Sequence, residues 1–504
     1  MEAHRAQWKT QWGFLLAAIG SAIGLGSIWR FAYVCYENGG GAYLIPYFVA
    51  LVTAGIPLMI LEYGIGHQMR GSAPMSFAKI RPHWEWLGWW MVIFVMFGIA
   101  MYYAVIISWC ACYLGFSFNL AWGADPNSFF FKQFLGVTTS PLEMGDVRSP
   151  ILLGLLIVWL VNWVIVFFGV EHGIERANKI FMPLLFVLIL VLVGWVWFLP
   201  GAKEGIIRYL KPDFSRLAGA KVWIDAYSQI FFTLSLGFGI MVTYASYLPR
   251  KADINFNASM ACLVDTVISL IAGLAVFGTL GYMAAQTNKP FEQVVQHGIG
   301  LAFVAYPQAI SLLPGFPRLF GVLFFLTLMI AGIASSISIL EAFSASVIDK
   351  FHYPRKVVVT VLSILGFLGG IVFATGGGFA WLDIVDHFLS NYGLFASCIL
   401  QCILVGWIYG ANRLREHVNS ISFFRVGRLF NFSIRYLVPG VLFFLLISLL
   451  IQDIRKPYGP EGGYSWIAII LIGRDWLVLT LIAALMVAMR PWRNPSKLDI
   501  SQPV

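Results

Sequence analysis

The sequence predicts an all-α integral membrane protein with twelve transmembrane helices, and three observations carry that prediction. First, 59% of the 504 residues are hydrophobic and only 11% are charged, with a mean hydropathy of +0.80. A soluble chain of this length would divide into domains with charged surfaces, and this one lacks the charge to cover itself in water. Second, its apolar runs are about 20 residues or longer, as a bilayer requires. Third, those runs lack the short alternating pattern of a membrane barrel.

The twelve apolar segments lie near 11–36, 42–69, 88–120, 150–170, 175–199, 222–248, 256–286, 317–349, 356–375, 380–410, 432–452 and 465–489. Tryptophan gathers at span ends, as in HWEWLGWW (83–90), where amphipathic rings suit the lipid–water interface. The start, MEAHRAQWKTQWGF, shows no small-residue cleavage site, so the first segment is expected to be retained. An even number of spans places both termini on one side. Lys and Arg are richer in the loops on that side, so both termini are expected in the cytoplasm. Loop 200–221, with five basic residues, runs against the bias. The net charge of +9 follows from the same bias and implies no nucleic acid. The six cysteines fall in or beside apolar runs and read as buried structural thiols. Stretch 287–316, interrupted by prolines in FVAYPQAISLLPG, reads as a re-entrant or capping loop on the outer side.

Segment 1 carries GSAIGLGS (20–27) and segment 6 carries TLSLGFGI (233–240). Glycine costs a helix about 1 kcal/mol against alanine. Broken backbone at membrane depth is tolerated only where it lines a cavity and finds partners. Matching glycine-interrupted spans in two halves of a chain point to a binding site made of broken helices. Close packing through small residues is the competing reading, and it suits one such segment better than a symmetric pair.

At this point the motifs GSAIGLGSIWRF, ENGGGAYLIPY, GIPLMILEYGIG, YYAVIISW, GIERANKIFMP, QIFFTLSLGFGIMVTYASY and AGIASSISI resemble the neurotransmitter:sodium symporter family. The likeness is greatest to its bacterial amino-acid transporters of the leucine-transporter type. Broken helices are the type example of that family, so the pattern above is its expectation and not an independent finding. The resemblance implies two inverted five-helix repeats with unwound helices 1 and 6, plus two peripheral helices. Residues 1–199 would form the first repeat, 200–410 the second, and 411–504 the peripheral helices and a short cytoplasmic tail. The implied setting is a prokaryotic inner membrane.

The same resemblance implies a site, residue by residue. The substrate carboxylate is expected at the backbone of Gly24, Leu25 and Gly26 and at the hydroxyl of Tyr103. The amino group is expected at carbonyls near Ala22 and Phe232 and at the hydroxyl of Thr233 or Ser235. Ile99, Phe232, Phe238 and Ile339, with Ser335 at the edge, would form the side-chain pocket. That pocket holds no charge, so a neutral, hydrophobic amino acid is expected. Amine carriers of the family place aspartate at the position of Gly24, and glycine there favours a substrate with its own carboxylate.

One or two sodium ions are implied. The first site would use Ala22, Thr233, Ser27 and Asp265, the last two standing where the family has asparagines. An ionisable residue inside the membrane is a functional hypothesis by default, and a carboxylate suits a hard cation. The second site would use Gly20, Ile23, Ala331 and Ser335, with Ala334 where the family has an oxygen-bearing side chain. Tyr47, Gln229 and Ser269 match positions that hold chloride in some relatives. Asp265, one helical turn from Ser269, is expected to supply that charge instead, so chloride is not favoured. Arg30 and Asp386 match the outer gate with Phe232 as lid, and Arg5 and Asp349 the inner gate, with Trp8 and Tyr247 nearby. Gly173 and Pro183 repeat a spacing at which helix 5 unwinds in relatives.

The leading expectation is therefore a sodium-coupled amino-acid importer working by alternating access. A proton-coupled carrier using Asp265 is the alternative, and an amino-acid sensor that binds without transport is a third. Eight scattered histidines form no catalytic or metal-ligand pattern, so no enzyme is expected. Amino acid and membrane lipid are the expected partners, and a homodimer is left open.

Overall fold

The computed structural model describes residues 6–295, 298–460 and 462–499. The first span is two helices, α1 (Gln11–Ala22) and α2 (Leu25–Glu37), bent by 74°. Thr10 starts α1 by accepting the Gly13 N–H on its side chain. The α-helix stops where Gly24 takes an extended conformation at φ −96°, ψ −174°. The long helices that follow are α3 (Gly40–Met69), α4 (Pro82–Phe116), α5 (Ser149–Phe167) and α6 (Val170–Trp197).

Segment 222–248 breaks into α7 (Ala220–Thr233) and α8 (Ile240–Ala245). Between them Ser235, Gly237 and Gly239 take positive φ of 52°, 78° and 72°. Two of these three positions are glycine, which adopts that region without strain. The remaining helices are α9 (Ile254–Thr287), α10 (Pro317–Phe351), α11 (Arg355–Ala374), α12 (Gly378–Ile421), α13 (Arg428–Arg455) and α14 (Trp466–Ala488). Among the described residues there is no strand, only an isolated bridge between Val147 and Thr375.

Ten of these helices are long and apolar enough to cross a membrane, and the bent α1–α2 pair makes eleven. The twelfth expected span differs because unwinding leaves α7 and α8 at 14 and 6 residues, neither of crossing length. α1 packs against α6, α9 and α10, so the first break is enclosed by long helices. α4 is the most enclosed span and α13 the least. Within 287–316 lies an apolar helix, Gly298–Ser311, shorter than a span. Its Phe303 meets Phe130 and Tyr113 at ring-centroid distances of 5.2 and 5.1 Å.

The stretch between Gly173 and Pro183 is helical. Gly173 serves close approach: a Cβ on it would stand 1.8 Å from the Ile165 carbonyl oxygen. All six cysteines are free thiols, five of them buried.

Candidate functional site

Unwinding frees backbone groups. The Gly24 N–H turns to the Ala22 carbonyl at 2.9 Å instead of reaching back four residues to Gly20. On the other broken helix, Ser235 Oγ donates to the Ser21 carbonyl at 3.0 Å, and Ser335 Oγ on α10 donates to the same oxygen at 3.2 Å. Ser21 Oγ also meets Ser338 Oγ at 2.8 Å. The two breaks and α10 therefore meet at one point.

Beside this point the structure brings together all four residues expected at the first cation site. Ser27 Oγ lies 3.0 Å from Asp265 Oδ1, 2.8 Å from Thr233 Oγ1 and 3.5 Å from the Ala22 carbonyl. Thr233 Oγ1 lies 3.0 Å from Asp265 Oδ2. Ser27, Thr233 and Asp265 are buried. Four oxygen contacts share only the two hydroxyl protons of Ser27 and Thr233. A buried group of oxygens with too few protons, one of them anionic, fits a hard cation.

Five of the expected substrate positions come together in contacts near it: Gly24 and Leu25 with Tyr103, and Gly26 with Phe232. Leu25 N–H donates to the Tyr103 hydroxyl at 3.1 Å. A Cβ on Gly24 would stand 3.1 Å from Tyr103 Oη, and one on Gly26 would stand 2.4 Å from Phe232 Cε1. Ile99, Phe238 and Ile339 are buried apolar residues, and Phe238 packs edge-on to Phe94 at 6.3 Å. Phe232 is roofed by Arg30, whose Cζ lies 4.2 Å from the ring centroid.

The residue pattern and this geometry can be set beside known proteins. The profile of the sodium:neurotransmitter symporter family matches residues 5–128 and 123–492. An uncharacterized sodium-dependent transporter of Methanocaldococcus jannaschii is 44% identical over 492 residues, covering 97% of this chain and 99% of its own length. The chain belongs to the sodium:neurotransmitter symporter family. A sodium-dependent dopamine transporter of Caenorhabditis elegans is 32% identical over 499 residues, covering 88% of this chain and 80% of its own. A creatine transporter of Torpedo marmorata is 30% identical over 506 residues, covering 92% and 81%. The chain is thus one of a family of sodium-dependent transporters and not an enzyme.

Other family positions are less converged. At the second expected cation site, Gly20 and Ile23 lie at the end of α1 and Ala331 and Ser335 on α10, helices that pack together. Ser335 bonds the Ser21 carbonyl there, and Ala334 is fully buried with no oxygen to offer. Around Asp265, the Tyr47 hydroxyl meets Thr266 Oγ1 at 3.3 Å. Both polar atoms of the Gln229 amide and the Ser269 hydroxyl are buried without a partner among the described residues. Unpaired buried donors of this kind suit a water or a small anion.

The outer gate is not closed as a direct ion pair. Among the described residues no ion pair joins Arg30 to Asp386; Arg30 rests on Phe232, and Asp386 Oδ1 accepts the hydroxyls of Tyr102 at 2.5 Å and Ser390 at 2.7 Å. Hydroxyl donors occupy the carboxylate while the aromatic face takes the guanidinium. On the inner side Asp349 Oδ2 accepts the Ser72 N–H at 2.9 Å. Arg5 lies outside the described residues. Trp8 bonds the Tyr244 carbonyl through Nε1 at 2.9 Å and packs edge-on to Tyr247.

Three buried polar groups of the symporter core were missed in the sequence reading. Ser21 joins the two breaks. Glu62 Oε1 accepts the N–H of Gly237 at 2.7 Å, holding the unwound stretch between α7 and α8 against α3. Glu341 on α10 accepts the Tyr247 hydroxyl at 2.8 Å and pairs with Arg355. The signal for both glutamates was present, since each is a carboxylate inside an apolar span.

Proposed function

We propose that the chain is a sodium-coupled symporter that imports a neutral, hydrophobic amino acid by alternating access. The observation that carries this reading is the meeting of two broken helices at Ala22, Ser27, Thr233 and Asp265, with Gly24, Leu25 and Tyr103 alongside. Sodium as co-substrate would be held by the Ala22 carbonyl, Ser27, Thr233 and Asp265. The amino acid's carboxylate would meet the Leu25 N–H and the Tyr103 hydroxyl that now accepts it, at the start of α2, where the helix dipole favours negative charge. Gly24 leaves no fixed anion in the way. Phe232 and Arg30 would cover the substrate, and separation of the two helix bundles would expose it to one side of the membrane at a time. The matching breaks in α1–α2 and α7–α8 support inverted repeats over 1–199 and 200–410. Tyr47, Gln229 and Ser269 fit a small anion, but Asp265 already brings a negative charge to the neighbourhood, so strong chloride dependence is not expected.

A proton-coupled reading draws on the same cluster. A proton on Asp265 would add the third donor that the oxygens lack. Uptake of labelled amino acids into proteoliposomes separates the two. Concentrative uptake of a hydrophobic amino acid only with external sodium supports the symporter. Uptake in choline driven by an inward proton gradient overturns sodium coupling, and tight binding without accumulation under any gradient overturns transport.

A further inference from the structure

Far from the helix breaks, the end of α12 and the start of α13 frame an open, shallow cavity of about 430 Å³. Arg415, Arg428 and Arg435 line it, with Asn412, Asn431, Phe432 and Tyr436. No lining residue is acidic, and among the described residues none of the three arginines takes part in an ion pair. Arg435 spends one donor, Nε, on the Gly406 carbonyl at 2.9 Å. Asn431 Nδ2 donates to Asn412 Oδ1 at 2.6 Å, leaving the Asn412 NH₂ as a further donor. A bias of positive charge toward one side of a membrane accounts for arginines in this loop. It does not account for three guanidinium groups around one concavity, because like charges repel unless an anion sits between them.

Depth is marked by aromatic rings. Trp407, Phe432 and Tyr436 are each more than half exposed. Tyr436 packs on Trp407 at 5.3 Å and on Phe432 at 5.9 Å. Exposed Trp and Tyr at the end of a span sit at headgroup level. Planar guanidinium groups hold phosphate oxygens through paired donors, and basic pockets between spans take anionic headgroups.

We propose that this cavity binds the phosphate of an anionic phospholipid, with the acyl chains lying against Phe432 and Tyr436. The site is separate from the transport reading and stands or falls without it. The test uses the full chain purified in neutral detergent. Its thermal midpoint is measured against added phosphatidylglycerol, phosphatidylcholine, or sodium phosphate at matched ionic strength. Native mass spectrometry counts the lipids retained. Phosphatidylglycerol should raise the midpoint and remain bound, and the other two should not. Each arginine near an anionic surface is worth about fivefold in affinity, so Arg415→Gln with Arg428→Gln should weaken half-saturation about 25-fold. Arg413→Gln, a neighbour that does not line the cavity, should leave it unchanged and controls for folding and bulk charge. An unchanged phosphatidylglycerol response in the double variant overturns the proposal, as does an equal response to inorganic phosphate or an equal loss in the Arg413 variant.

Discussion

Ser27 and Asp265 stand 3.0 Å apart at the first expected cation site, whereas at the second Ala334 sits fully buried beside Ser335, whose hydroxyl has turned to Ser21. Both sites depart from the family pattern, but in different ways. At the first, one side chain became shorter and its partner on another helix became charged. Each change reaches the other across the gap between α2 and α9, and Thr233 joins both. At the second, alanine stands at position 334 of α10, where the family pattern has an oxygen-bearing side chain, and the Ser335 hydroxyl bonds the Ser21 carbonyl. The difference teaches that a ligand set shared between helices can change as a pair.

The largest expected effect comes from breaking the coupled pair. Asp265→Asn removes the anionic oxygen from a buried cluster and leaves Ser27 and Thr233 facing an amide. Loss of an outer-shell partner alone costs about 10–100-fold in affinity, and Asp265 would be a direct ligand, so sodium-driven uptake should fall to near background. Ser27→Asn combined with Asp265→Asn restores the family's pair of amides and should recover sodium dependence. A sodium titration of uptake in the two single variants and the double variant gives the coupling directly. Equal loss in Asp265→Asn and in the double variant would show that the two residues do not act as a unit.

A smaller effect is expected next to the cluster. In Gly26→Ala the new methyl would overlap Phe232 at 2.4 Å. The ring must leave its place under Arg30, at a cost of about 1–3 kcal/mol for overpacking. Half-saturating amino acid should rise about tenfold while the sodium requirement persists. If sodium affinity falls in step with substrate affinity instead, the lid and the cation cluster are one unit.

How much of this was readable before the structure differs by residue. The helix breaks were legible because glycine-interrupted spans recur at matching positions of the two halves, which close packing alone explains less well, and Ser27, Thr233 and Asp265 were legible through motif position. Ser21 was not, because its role rests on a backbone carbonyl, which any residue carries. The break of segment 222–248 was seen, but not that it would leave two pieces below crossing length, since hydropathy does not register backbone torsion. The spacing of Gly173 and Pro183 does not decide whether the stretch between them is wound: the glycine answers to the Ile165 carbonyl on the preceding helix α5, a contact that spacing along the chain cannot display. Among the described residues Arg30 lies over Phe232 and not in an ion pair with Asp386, whose carboxylate takes the hydroxyls of Ser390, one turn along α12, and of Tyr102 on α4, a long-range contact that motif position does not reveal.

At the second site the comparison can be sharpened by restoring what is missing. Ala334→Ser adds one hydroxyl to α10 beside Ser335. If sodium binds there with an oxygen short, affinity should improve about fivefold, the worth of one net hydrogen-bond-sized contact of about 1 kcal/mol. Radioactive sodium binding to the purified variant reads this without depending on turnover. No gain, with an intact sodium requirement at the first site, would mean that one ion suffices.

The smallest effect, and the most discriminating, concerns chloride. Gln229 on α7 and Ser269 on α9 stand one helical turn from Thr233 and Asp265, with buried polar atoms that have no partner among the described residues, and a chloride ion could take up those donors. On the reading proposed above, the Asp265 carboxylate would supply the negative charge that chloride supplies in chloride-dependent members. Replacing chloride with gluconate should therefore leave uptake largely intact. The double variant Ser27→Asn with Asp265→Asn removes the fixed charge while keeping the amide ligands, so its uptake should become chloride-dependent. The two results are linked by one charge: a wild type that fails without chloride, or a double variant that ignores it, would each show that Asp265 neutralises nothing at the cation site.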